Sequence, residues 1–80
     1  MIGYSLRLVH GNRKASKKRF GVRFGRHCID SNISVIEVVD KLGVSRQSVY
    51  NWFLGKHEPN PAQATKISQL FSVLLRFGGD

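Results

Sequence analysis

The chain has little of what would reinforce a small protein covalently. Cysteine occurs once, at Cys28, so no disulfide can close within these 80 residues and no thiolate zinc site can be built from them alone. That usage fits a reducing compartment. No apolar run is longer than four residues, too short to span a bilayer. Met1-Ile2-Gly3-Tyr4 lacks the long apolar core of a secretory leader. No nucleophile–base pair, paired carboxylates or phosphate-cradling glycine loop stands out. His10, His27 and His57 have no cysteine or carboxylate partners at ligand spacing. The expectation is therefore a non-enzyme with no metal and no cofactor.

Acidic residues are also scarce, 5 against 13 lysines and arginines, for a net charge of +8. The excess is uneven. Residues 1–32 hold eight basic residues against Asp30 alone, or +7, while residues 33–80 hold five against four, or +1. A basic arm joined to a near-neutral globule is a pattern of nucleic-acid binders. An anionic membrane surface would also attract such charge, but residues 12–19 lack the aromatic and leucine face of an interfacial helix. Hydrophobic content of 41% supports one small core. A chain of this length buries only roughly 60–65% of its unfolded surface, which suits a binding module better than a deep catalytic pocket.

Along the chain, Tyr4, Leu6 and Leu8 alternate with Ser5, Arg7 and Val9, the period of a short strand closed by Gly11-Asn12. Such a strand would lie on the helices, stay disordered, or pair with its copy in a second subunit. Asn12 to Arg19 reads as a mobile basic arm or the exposed start of a helix. Phe20, Phe24 and Cys28 (or His27) then recur at i, i+4, i+8 and predict a helix over about residues 18–31. Gly21 and Gly25 weaken it by about 1 kcal/mol each relative to alanine, or admit another backbone closely. Asp30-Ser31-Asn32 ends it. Ser34 with Glu37 forms a capping box for a second helix carrying Val35, Val38, Val39 and Leu42, stopped by Gly43. Ser45 caps a third, with Val49, Trp52 and Phe53 inward and Arg46, Gln47, Tyr50 and Asn51 outward, stopped by Gly55. Asn60, Pro61 and Gln63 open a fourth helix through a second capping box. Its stripe is Ala64, Ile67, Leu70, Phe71 and Leu74, running to Phe77 or breaking near Ser72 into a short fifth helix.

Val39 to Trp52 thus reads as two short helices joined by a glycine turn, the shape of a helix-turn-helix. In particular, Ile33-Ser34, Leu42-Gly43-Val44-Ser45, Ser48-Val49, Trp52, Gly55-Lys56 and Pro59 stand in an ordered set that resembles the Cro and phage-repressor (XRE-like) helix-turn-helix family. Phe24 and Ile67 to Phe71 extend the likeness over residues 20–74. The resemblance implies an all-α bundle of four or five helices over residues 20–77, here preceded by a basic arm over residues 1–19 that includes the candidate strand. It also implies a third helix lying in the major groove of double-stranded DNA, commonly in a homodimer facing two half-sites. Three positions depart from the family pattern. Val35 stands where a phosphate-contacting glutamine is usual, and Val39 where alanine lets the two helices cross. Cys28 and Phe53 occupy the places of a frequent arginine–glutamate pair. Exchanging both partners of a buried ion pair for packed apolar groups can be neutral or stabilising, so the pair of changes reads as a repacked core.

On DNA, Arg46 suits guanine O6 and N7, and Gln47 suits adenine N6 and N7. Asn51 lies one turn further along the same face, and Tyr50 suits a thymine methyl or a phosphate. Ser34, Ser45, Ser48, Lys56 and His57 suit phosphate contacts that position the domain. Lys14, Lys17, Lys18 and Arg19 suit the backbone or the minor groove. Each of these also has a plain structural role, as a helix cap or a solvated surface. The expected function is a sequence-specific transcriptional regulator, a repressor of phage or bacterial type, in the bacterial cytoplasm or nucleoid. Two other readings remain open. One is a protein-interaction module such as an antitoxin or an inhibitor of a host enzyme, with a host or phage protein as partner. The other is a sequence-neutral packaging protein driven by the basic arm. The dimer surface would be the N-terminal strand, the patch Leu74, Leu75 and Phe77, or neither.

Overall fold

Helix starts in this chain are set by side-chain oxygens that accept from the backbone three residues on. Ser5 accepts from the Leu8 N–H at 3.2 Å, Ser34 from Glu37 at 3.1 Å, Ser45 from Ser48 at 3.1 Å, and Asn60 from Gln63 at 2.8 Å. Each satisfies a donor that the first turn leaves without an intrahelical partner. The computed structural model describes residues 4–73, with five helices among them: α1 (Leu6–Lys14), α2 (Phe20–Asp30), α3 (Val35–Leu42), α4 (Arg46–Phe53) and α5 (Pro61–Phe71). The all-α bundle is as expected. The second, third and fourth predicted helices are α3, α4 and α5.

The exception among the caps is α2, whose preceding residue Arg19 makes no side-chain cap bond. Its start is served from far along the chain, where Glu58 Oε1 accepts from the Gly21 N–H at 2.8 Å. A carboxylate there also meets the positive end of the helix dipole. The C-end of α2 closes through Asn32 at φ 59. The Ile33 N–H reaches back to the Cys28 carbonyl at 2.9 Å, a left-handed terminus of the Schellman type. At α5 the reciprocal Asn60–Gln63 box is complete. At α3 only half of it forms: Ser34 caps, while the Glu37 carboxylate instead pairs with Lys41 at 3.3 Å.

The strand expected near the N-terminus is a helix. Leu8 and Asn12, one turn apart, are the buried residues of α1, and Leu8 joins the main core. Leu6, which alternation would have turned inward with Leu8, is 73% exposed. Helical spacing wins because Leu8 and Asn12 both find partners on the bundle, whereas no second strand exists among the described residues to satisfy an extended backbone. The strand-paired dimer loses its structural basis with it. Tyr4, just before α1, donates its hydroxyl hydrogen bond to the Ile33 carbonyl at the α2–α3 turn.

The core is built around α2 and α4, with Phe20, Phe24, Cys28, Val49, Trp52 and Phe53 all buried. Phe24 and Phe53 meet edge to face at 5.6 Å and 90°, a favoured aromatic geometry. Val38 and Leu42 of α3 and Ala64, Ile67 and Phe71 of α5 close the cluster. Leu70, expected on the inner stripe of α5, is 47% exposed. Helix α5 ends at Phe71, with Ser72 in the left-handed region at φ 58. The expected continuation, a further helix and the patch Leu74, Leu75 and Phe77, lies outside the described residues.

Gly21 and Gly25 sit on the α2 face turned toward α4. A Cβ on Gly21 would come within 2.8 Å of the Trp52 carbonyl oxygen, and one on Gly25 within 2.7 Å of both the Phe53 ring and the Asn12 amide. Of the two readings of these glycines, close backbone approach is the one the structure carries. Helix propensity alone predicts that Gly21→Ala stabilises by about 1 kcal/mol. Because the obstacle is backbone rather than a flexible side-chain end, the expected result has the opposite sign, a loss of about 1–3 kcal/mol, read from urea unfolding midpoints at constant m-value.

Candidate nucleic-acid interface

Two short helices and the turn between them present the polar surface. Gly43 sits at φ +67, and a Cβ there would meet nothing within 4 Å. Glycine is favoured by the left-handed backbone alone. The turn sets Ser45 at the start of α4. The Ser45 hydroxyl is committed twice, accepting from the Ser48 N–H and donating to Ser48 Oγ at 3.1 Å. Of these two serines, Ser48 is the one whose hydroxyl hydrogen stays available to an outside acceptor. Ser34 is half-buried and engaged as the cap of α3.

Arg46 and Gln47 are exposed in the first turn of α4, and Tyr50 and Asn51 are half-buried one turn later. Gln47 Nε2 donates to Asn51 Oδ1 at 3.2 Å. That bond orients the two amides along one face and leaves Gln47 Oε1 as an acceptor and Asn51 Nδ2 as a donor. Such a combination matches the donor–acceptor pairs of base edges. The N–H groups of Lys56 and His57 both donate to the Asn51 carbonyl, at 2.9 and 3.3 Å, folding the loop back over the end of α4 with both side chains exposed.

The structure brings some of the expected site residues together. Arg46, Tyr50 and Ser34 line one cleft of about 280 Å³ at the start of α4. Lys14, Lys17, Lys18 and Arg19 are exposed at the end of α1 and in the turn after it. Arg19 lies beside Gly55, where a Cβ would approach Arg19 Cδ to 3.3 Å, which puts Arg19 at the far end of α4.

Sequence reasoning missed the contribution of α1 to this surface. Tyr4, Ser5 and Leu8 share the first cleft with Arg46, and Ser5, Arg7 and Leu8 share a second one with Gln47, Tyr50 and Leu54. The overlooked signal was Ser5 as a cap ahead of Leu8 and Asn12 at helical spacing. Neither α1 nor α4 contains an acidic residue, so the surface they form together is uniformly basic or neutral.

A short helix, a left-handed glycine turn and a second helix with its polar face outward define a helix-turn-helix. A family model described as helix-turn-helix matches residues 29–77, and the chain belongs to this DNA-binding family, the XRE type found in Cro and phage repressors. The match starts at Ile29 and so leaves out α1 and nearly all of α2. Neither the curated proteins nor the solved structures contain a match to the chain. No helix among the described residues is long and apolar enough to cross a membrane.

Beneath α4, Cys28 and Phe53 are both fully buried in one cluster. Val35 and Val39 pack against the same cluster, half-exposed. Burial, reinforced by the negative charge of Glu37, pushes the Cys28 thiol up to about 12 from 9.0. The Tyr4 hydroxyl is raised above its ordinary 10.0 as well, by burial first and then by Cys28, Tyr50 and Glu37. For Cys28 the folded value exceeds the unfolded one. Its neutral form therefore supports the fold fully below pH 9, and that support is lost as pH rises toward 12. The expected outcome is that wild type loses more stability than Cys28→Ala between pH 8.5 and about 11, measured by urea unfolding at each pH. A constant gap between the two proteins would contradict it.

Proposed function

We propose that the protein is a sequence-specific double-stranded DNA-binding transcriptional regulator, acting as a repressor. In this reading α4 enters the major groove, Arg46 and Gln47 read base edges, and Tyr50 and Asn51 extend the readout by one step. Ser34, Ser48, Lys56 and His57 meet phosphates on either side, and Ser45 contributes chiefly by holding the start of the helix. Lys14, Lys17, Lys18 and Arg19 follow the backbone at the far end of α4. The protein works as a homodimer on a palindromic site in the bacterial cytoplasm. The observation that carries this reading is the exposed first turn of α4: a guanidinium and a carboxamide side by side with no carboxylate on the helix, in a family whose members bind DNA.

A second reading, docking of a protein partner on the same face, draws on the start of α3. Val35 has replaced a polar family residue, and the neighbouring Ile36 is 55% exposed at the rim of the cleft beside Arg46. An isoleucine there offers a phosphate nothing and a protein partner something.

Selection of bound duplexes from a random library separates these readings. The expected product is a palindromic consensus whose preference over random duplex collapses in Arg46→Ala plus Gln47→Ala, each well-read base being worth about 1–3 kcal/mol. Recovery of no consensus, together with equal binding of all duplexes, would leave only sequence-neutral packaging. For about six neutralised phosphates, log K should fall against log salt with a slope near −5. Titration at several salt concentrations reads this directly, and affinity indifferent to salt would count against DNA binding altogether.

A further inference from the structure

Helix α1 lies outside the stretch that matches the family, yet it runs beside the helix that carries the candidate base-reading residues. Its start is near the start of α4, since Tyr4, Ser5 and Leu8 share a cleft with Arg46 and Tyr50. Its end is near the end of α4. There a Cβ on Gly11 would run into the Leu54 side chain, and Asn12 Nδ2 donates to the Phe53 carbonyl at 2.8 Å. The two helices therefore run side by side in the same sense, meeting at Gly11–Leu54 and Asn12–Phe53 and bordering shared clefts at their starts. Arg7, Gly11 and Lys14 fall at i, i+4 and i+7 and so share one edge of α1. Gly11 is packed on Leu54, and Arg7 lines the second cleft together with Gln47, so this is the edge bordering the outer face of α4. Both Arg7 and Lys14 are exposed. Arg13, also exposed, lies about a third of a turn away from that edge by the same periodicity.

We propose that α1 is a second DNA-facing helix, whose Arg7–Lys14 edge grips the phosphates of the strand bordering the groove that α4 enters. This rests on the DNA-binding reading above. Packed helices stand about 8–10 Å apart, while the major groove is about 12 Å wide. Only α4 fits inside, and a parallel neighbour must ride over the flanking backbone. The charge agrees with that seat, because α1 has three basic residues and no acidic one. It also supplies cationic contacts at the flank of a domain whose α3 start carries the apolar Val35 and Ile36. Arg7 thereby becomes a phosphate-contacting residue that the family pattern does not contain.

The test uses the full chain and the duplex selected for it, with salt-dependent titration of wild type, Arg7→Ala plus Lys14→Ala, Arg13→Ala, and Arg46→Ala plus Gln47→Ala. Circular dichroism and thermal midpoints check that each variant folds. The α1 edge variant should keep its preferred sequence, bind selected and random duplex more weakly by a similar factor, and show a slope shallower by about 2. Arg13→Ala should leave the slope close to that of wild type. Should the edge variant keep the full slope while Arg46→Ala plus Gln47→Ala loses its preference, the proposal falls and the DNA reading stands. Should Arg13→Ala flatten the slope as much per residue as the edge variant does, charge acts at a distance and the proposal falls again. Absence of duplex binding by wild type would remove both.

Discussion

The carboxamide of Asn12 is wholly withdrawn from solvent, and protein groups meet its hydrogen-bonding needs on every side. Nδ2 donates to the Val22 carbonyl of α2 at 3.1 Å and to the Phe53 carbonyl at the end of α4 at 2.8 Å. Oδ1 accepts from Arg26 Nε at 3.0 Å, and the same guanidinium reaches the Asn12 backbone carbonyl at 3.3 Å. A buried amide left without partners would cost about 1–3 kcal/mol; satisfied, it fixes a single arrangement of three helices. An apolar side chain could fill that volume, but it would leave the Phe53 carbonyl, one of the orphan acceptors at the end of α4, without a donor. Together with Leu8 in the core and Gly11 against Leu54, this group fixes the seat of α1 against α4.

The elements legible in the sequence were those specified by near neighbours. Ser34, Gly43, Ser45, Gly55 and the Asn60–Gln63 box act within three or four residues, so the turn between α3 and α4 and the start of α5 could be read from the chain itself. What escaped was decided at long range. Tyr4, Leu6 and Leu8 satisfy a period of two as readily as Leu8 and Asn12 satisfy one helical turn, and only packing on α2 and α4 chooses between them. The glycines of α2 could be read as weak helix formers or as sites of close approach, and the choice depends on Trp52 and Phe53, which lie about thirty residues away. Glu37 had both a cap and Lys41 within reach, and the sequence holds nothing that ranks the two. The candidate base-reading residues were legible as the polar face of a capped helix, whereas Arg7 was hidden by the strand pattern around it.

Apolar packing and polar tethering divide the work beneath the candidate interface. Cys28, Phe24 and Phe53 fill the space under α4 that an ion pair often occupies in this family, which removes the need to hold two charges in a dry interior. The polar ties move to the ends of the helices: Asn12 at the finish of α4, Glu58 at the start of α2, and Tyr4 at the α2–α3 turn. Side chains that face solvent on α4 then carry little structural duty, apart from the Gln47–Asn51 bond and the Ser45 cap. A surface freed from structural duty can vary in sequence without unsettling the fold.

The Gly21–Glu58 bond spans 37 residues and the Asn12–Phe53 bond 41. Both join the first two helices to chain that is made much later. On a ribosome, which delivers the N-terminus first, α1 and α2 therefore emerge without the carbonyl that anchors one and the carboxylate that caps the other. The basic first third of the chain therefore cannot complete its native bonds until Phe53 and Glu58 have been made, so the candidate interface and the core share the same late-made partners.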